Sequence, residues 1–172
     1  MKLLLVMLML VISLFGIENG TYNVIKIVDG DTVDIALPDD KKARVRLAFI
    51  DTMESSKNKR AKDLSVKCNI DITDIVEDGK ESKKYLMEMI LTKDVNIKFY
   101  GMDNKDLRYI GELFLPNDTE SVNIKMIKYG NALPYITYIR KYKQDINFYK
   151  NIVRENEDYI TTDECVKSSL GK

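Results

Sequence analysis

The chain has 172 residues, enough for one domain with a sizeable core, and its 27 Lys and Arg balance its 27 Asp and Glu. That balance excludes a strongly basic whole-protein field, so any affinity for a polyanion must come from a local patch. Histidine is absent, which removes the commonest general base and metal ligand and leaves carboxylates, arginines, a metal ion or the two cysteines to run any catalysis.

Lys2 is followed by Leu3–Phe15, apolar except for Ser13. The run is short for a bilayer span and has the charge-then-apolar order of a secretory signal. Residues 1–16 therefore read as a signal peptide cleaved near Gly16, with an uncleaved anchor as the alternative because Leu14 is large for the −3 position. No cysteine follows the run, which argues against a lipoprotein. Removing 1–16 takes away Lys2 alone and leaves 26 basic against 27 acidic residues, a formal charge of −1. Residues 20–160 read as one domain and 161–172 as a C-terminal tail.

Thr21 to Val28 alternates and reads as a strand, ended by the turn signal Asp29-Gly30-Asp31. Thr32 to Leu37 is a second strand, Pro38-Asp39-Asp40-Lys41 a hairpin tip, and Lys42 to Ile50 a third strand. Ser55 to Glu77 is polar and reads as a long loop, with a short helix over Lys59–Val66. Gly79 to Leu91 has apolar residues at helical spacing. Asp94 to Tyr100 and Leu107 to Leu115 are the fourth and fifth strands, joined by a turn at 102–106. Asn123 to Tyr129 is a short helix stopped by Gly130. Tyr138 to Glu157 is a last helix with Tyr142, Ile146, Tyr149 and Val153 on one stripe. The fold class is α+β: a five-stranded oligonucleotide-binding-type β-barrel with three α-helices.

The chemistry gathers in Asp29-Gly30-Asp31-Thr32-Val33 and in Asp51-Thr52-Met53-Glu54, with Arg46 between them. Carboxylate and hydroxyl oxygens suit a hard metal ion, and an arginine fork suits a phosphate. Asp29 reads mainly as a turn residue. Thr32 either supports the site by its hydroxyl or is structural. Arg44, two residues from Arg46 on the same strand face, reads as a surface charge. Cys68 and Cys165 are an even pair that either bridges in an oxidising compartment or stays as two thiols. Without a histidine partner neither reads as a nucleophile.

These elements resemble the thermonuclease family, the secreted calcium-dependent nucleases of the staphylococcal type, over Thr21 to Glu157. The resemblance is carried by Asp29-Gly30-Asp31-Thr32-Val33, by Arg46-Leu47 leading to Asp51-Thr52 and Glu54, by Gly79-Lys80-Glu81, by Arg108 with Gly111, and by Val122-Asn123 with Ile127, Gly130 and Ala132. It implies Ca2+ held by Asp31, Asp51 and the Thr52 carbonyl, Glu54 as base or orienter of the attacking water, and Arg46 and Arg108 as a phosphate clamp. It further implies a secreted or cell-envelope monomer with no stable protein partner. Its substrates would be single-stranded DNA and RNA, cut to leave 3′-phosphate ends. The alternative is a non-catalytic barrel that binds nucleic acid. Candidate nucleic-acid contacts are Lys105, Tyr135, Tyr138, Lys57, Lys59 and Arg60; the basic cluster at 57–62 reads first as a solvated loop and only second as a backbone contact. Tyr142 and Tyr149 read as core.

The chain departs from the family pattern in four places. Met53 stands where a proline is usual, which loosens the segment presenting Glu54. Asp106-Leu107 replaces a Tyr-Gly pair. The loop from 55 to 78 is longer and contains Cys68. The tail lacks a Gly-Leu-Trp ending.

Overall fold

The computed structural model describes residues 17–103, 106–156 and 164–170. The apolar leader at 1–16, Lys105 and much of the tail lie outside the described residues. Among the described residues no helix is long and apolar enough to cross a membrane.

Strands β1 (Gly20–Asp29), β2 (Thr32–Ala36) and β3 (Lys42–Leu47) form a meander, and β5 (Asp94–Asp103) and β6 (Arg108–Phe114) form a hairpin. The barrel closes in the order β1-β2-β3-β6-β5. All pairings are antiparallel except β3 with β6, which run parallel from Val45↔Tyr109 to Leu47↔Gly111. A parallel pair needs a long crossover, and here the crossover holds two helices and β5. Alternation sends Val24, Val33, Ile35, Val45, Leu47, Val95, Ile97 and Leu113 into the barrel, where all are buried; Ile110, paired with Arg46, is buried on the other face. The fold class read from the sequence is thus the one observed. It is elaborated by a two-stranded pair, β4 (Ile50–Asp51) against β7 (Leu133–Pro134).

Six helices are described where three, and a short one near Lys59, were expected. The turn of helix expected near Lys59 is α1 (Lys59–Cys68). Its N-cap Asn58 accepts from the Ala61 N–H, and Asn69 ends it in the left-handed region. The next helix begins earlier than Gly79. It is α2 (Ile72–Ile90), started by Asp71, whose side chain accepts from the Thr73 N–H at 2.7 Å. After α3 (Val122–Lys128) the single long helix expected is two. α4 (Ile136–Lys141) stops near Lys143, whose φ is +53°, and Asp145 caps α5 (Ile146–Glu155). A residue held in the left-handed region cannot continue a helix. The tail contributes α6 (Glu164–Ser169), which packs on α1. Cys68, the last residue of α1, is disulfide-bonded to Cys165 of α6, with Cα atoms 5.5 Å apart.

Two contacts set the frame of the site. Asn123, 1 % exposed, ties α3 to the β3–β6 seam. Its Nδ2 donates to the carbonyls of Ala48 (2.8 Å) and Gly111 (3.3 Å), and its Oδ1 accepts from the Leu113 N–H (3.0 Å). Gly79 lets α2 lie directly on the chain at Glu54: a Cβ there would stand 2.3 Å from the Glu54 carbonyl oxygen. The expected core role of Tyr149 agrees with its burial against Phe49.

Candidate active site

The barrel brings the sequence-distant acidic and arginine residues to one open cleft of about 810 Å³. Asp31 comes from the β1–β2 turn, Arg46 from β3, Asp51 from β4, Glu54 from the segment after it, and Arg108 from the start of β6. Strand alternation turns Arg46 away from the barrel interior, between inward-facing Val45 and Leu47. It is nevertheless only 5 % exposed, and the Tyr135 ring lies 5.7 Å from its guanidinium carbon.

Asp31 and Asp51 are 5 % and 1 % exposed. Buried carboxylates need partners, and Arg46 supplies them. Its Nη1 contacts Asp31, its Nη2 donates to Asp51 Oδ1 at 2.8 Å, and Nη2 also reaches the Ile50 carbonyl at 3.2 Å. Thr32 Oγ1 donates to Asp31 Oδ1 (2.9 Å), and the Thr52 N–H and Oγ1 both reach Asp31 Oδ2 (3.3 Å). The hydroxyl of Thr32 therefore supports the site. Burial pulls the Arg46 pKa below its ordinary value while Asp51 opposes the pull; arginine starts high enough to stay charged at neutral pH.

The basic cluster divides. Lys57 is exposed, and Lys59 is paired at 3.9 Å with Asp63 on its own helix; neither lines the cleft. Arg60 turns inward. Its Nη2 pairs with Asp51 Oδ2 and its Nη1 with Glu54 Oε1 at 3.0 Å. Burial opposes the charge on Arg60, but Asp51 and then Glu54 raise its pKa overall. The second Glu54 oxygen accepts from Asn58 Nδ2 at 2.5 Å. Asn58 was not legible as a site residue; its only sequence signal was that of a helix N-cap.

Arg108 pairs with Asp106 at 2.7 Å and lies 3.7 Å from Asp103. Its buried Nε has no hydrogen-bond acceptor among the described residues, a donor left over in a cleft wall. Asp106, the departure next to it, is thus a tether on that arginine. Tyr138 donates to Asp103 Oδ2 at 3.2 Å; its own burial first, and Asp103 second, push its pKa up to about 12, so it remains a donor. Tyr135 and Tyr138 both line the cleft, ring centroids 4.6 Å apart. Asp29 accepts the Gly30 N–H of its own turn, and Arg44 is engaged with Asp34.

Among the described residues no three His, Cys, Asp or Glu side chains gather as a metal cluster. The charge of the cleft is nonetheless informative. Asp29, Asp31, Asp51, Glu54, Asp103 and Asp106 line it against Arg44, Arg46, Arg60 and Arg108, six carboxylates to four guanidiniums and a formal −2. Such a balance disfavours an anionic ligand, and added positive charge would offset it. The donors beside Arg46 are all oxygen, which suits a hard divalent cation rather than a soft one.

The profile of the family described as staphylococcal nuclease homologue matches residues 44–157, more than half of the chain. That range holds Arg46, Asp51, Thr52, Glu54, Arg108, Tyr135 and Tyr138; Asp31 precedes it and joins through the β1–β2 turn. A protein of Haemophilus influenzae (strain ATCC 51907 / DSM 11121 / KW20 / Rd) named as an uncharacterized endonuclease is 29% identical over 140 residues. The alignment takes in 80% of this chain and 66% of that relative's length. With its barrel, its helices and the profile match agreeing, the chain belongs to the staphylococcal nuclease homologue family.

Proposed function

We propose that this protein is a secreted, calcium-dependent nuclease that hydrolyses phosphodiester bonds of single-stranded DNA and RNA and leaves 3′-phosphate ends. The observation that carries this reading is the convergence of Asp31, Arg46, Asp51, Glu54 and Arg108 on one cleft whose carboxylates outnumber its arginines. Asp31, Asp51 and the Thr52 carbonyl would hold Ca2+, which when bound supplies positive charge to the phosphoryl oxygens in the transition state. Arg108 offers its leftover Nε and the fork beside it to phosphate oxygens. Arg46 binds the phosphate by exchanging a carboxylate partner for a phosphate oxygen, with the Tyr135 ring beside its guanidinium. Glu54 has two oxygens each engaged by one donor, which leaves lone pairs to orient the attacking water and accept its proton. The 5′-oxygen leaves. Export of the chain through residues 1–16 fits a disulfide, because such bridges persist in oxidising compartments.

The test is cleavage of single-stranded DNA in calcium or with a chelator, beside Glu54→Gln and Arg108→Ala. Loss of either preorganised group lowers the rate roughly 100- to 1000-fold. Wild-type protein that binds the strand in calcium but cuts no faster than these variants would instead be a binding barrel. End-labelled products distinguish 3′- from 5′-phosphate.

A further inference from the structure

We infer that Asn58, the N-cap of α1, and Arg60, in its first turn, are positioning residues that hold the Glu54 carboxylate in place. Glu54 sits in a segment that follows Met53, a residue with ordinary backbone freedom where a proline would restrict it. Something else must fix the side chain, and α1 does so from the front. Arg60 Nη1 holds Oε1 at 3.0 Å and Asn58 Nδ2 holds Oε2 at 2.5 Å. Glu54 is left with a side chain only 13% exposed.

The amide of Asn58 can point only one way. Its Oδ1 must accept from the Ala61 N–H (2.9 Å) to cap the helix, so its NH2 faces the carboxylate. Arg60 is anchored at its other nitrogen by Asp51. The helix that carries both donors is fixed by burial of Ala61 and Leu64 and by the Cys68–Cys165 bridge at its far end. From behind, α2 presses on the Glu54 backbone through Gly79. The carboxylate is therefore clamped on two sides, by an element that lies within the long segment setting this chain apart.

The kinetic half of the test rests on the nuclease reading; the structural half does not. Hydrogen exchange of residues 52–56, measured on the substrate-free full chain, is expected to quicken in Arg60→Ala and in Asn58→Asp and to return toward wild type in Arg60→Lys. Asn58→Asp keeps the helix cap and replaces the donor with a repelling carboxylate, so helix stability is preserved. In steady-state cleavage both variants are expected to lose roughly 10- to 100-fold in kcat, the usual cost of misplacing a reacting group, with little change in KM. Arg60→Lys recovers part of that loss. Arg60→Ala added to Glu54→Gln costs nothing further, because its target is already gone. Unchanged exchange at 52–56 overturns the inference. So does a loss expressed in KM, or one that adds in full to Glu54→Gln, since either marks Arg60 as a direct substrate contact. If the exchange results hold while wild-type protein cuts nothing, the nuclease reading fails and the positioning role stands.

Discussion

At the scale of single residues, the site is held by opposed charges taken out of water. Arg46 stands between Asp31 and Asp51 with all three buried. Removing Arg46 leaves buried Asp31 with the neutral Thr32 and Thr52 donors, while Asp51 keeps Arg60; taking the cation from a buried carboxylate costs about 3–5 kcal/mol. Arg46→Ala is therefore expected to lower unfolding free energy by that order, measured by urea titration, as well as to abolish activity. Asp34 behaves differently because its partner is at the surface. The Arg44 hydrogen bond holds its carboxyl below the ordinary range, with its own burial opposing. A depressed folded-state pKa gives stability that is complete above the unfolded value of about 3.9 and lost as pH falls through the lower folded value. The stability gap between wild type and Asp34→Asn, from urea unfolding at pH 5 down to pH 2, is expected to close as pH drops.

Among the elements, the decisive feature is the insertion of α1 between β4 and α2. Asp31, Arg46, Asp51 and Glu54 were legible as a cluster because their types and spacing are local to strand ends, whereas Arg108 entered only through the family resemblance. Arg60 was legible only as one charge in a basic cluster, since which face of a short helix looks inward depends on what that helix packs against. The same limit explains the helix starting at Ile72: residues 55–77 read as a polar loop with the helix beginning at Gly79, whereas the structure starts the helix at the Asp71 cap and runs it through Gly79, which lies against Glu54. The bridge from α1 to α6 spans 97 residues of sequence, and closing a loop of that length stabilises the fold by about 3–5 kcal/mol in the chain-entropy account. The double variant Cys68→Ser/Cys165→Ser is expected to lose stability of that order. It is also expected to exchange amides faster across α1, while non-reducing mass spectrometry of the wild-type protein finds no free thiol.

For the molecule as a whole, balanced charge means that substrate attraction is local. If Arg46 and Arg108 make the main phosphate contacts, single-strand binding should weaken with salt at a slope of about −1.4 in log–log terms, about −0.7 for each phosphate neutralised. Glu54→Gln in calcium permits that measurement without cleavage; a slope several times steeper would show a wide basic footprint that includes the exposed Lys57 and Lys59.

The sequence alone determined the barrel and the kind of chemistry. Five short alternating strands have one apolar face to bury, which a small closed barrel does, and the absence of histidine leaves oxygen donors and guanidiniums for the site. Tertiary structure alone decided how those groups are arranged. Burial drew Arg46 between two carboxylates, the parallel β3–β6 seam brought Arg108 beside them, and the tethered α1 delivered Asn58 and Arg60 to Glu54. Periodicity and residue type act over a few positions, whereas these contacts depend on which surfaces remain to be covered once the core has formed.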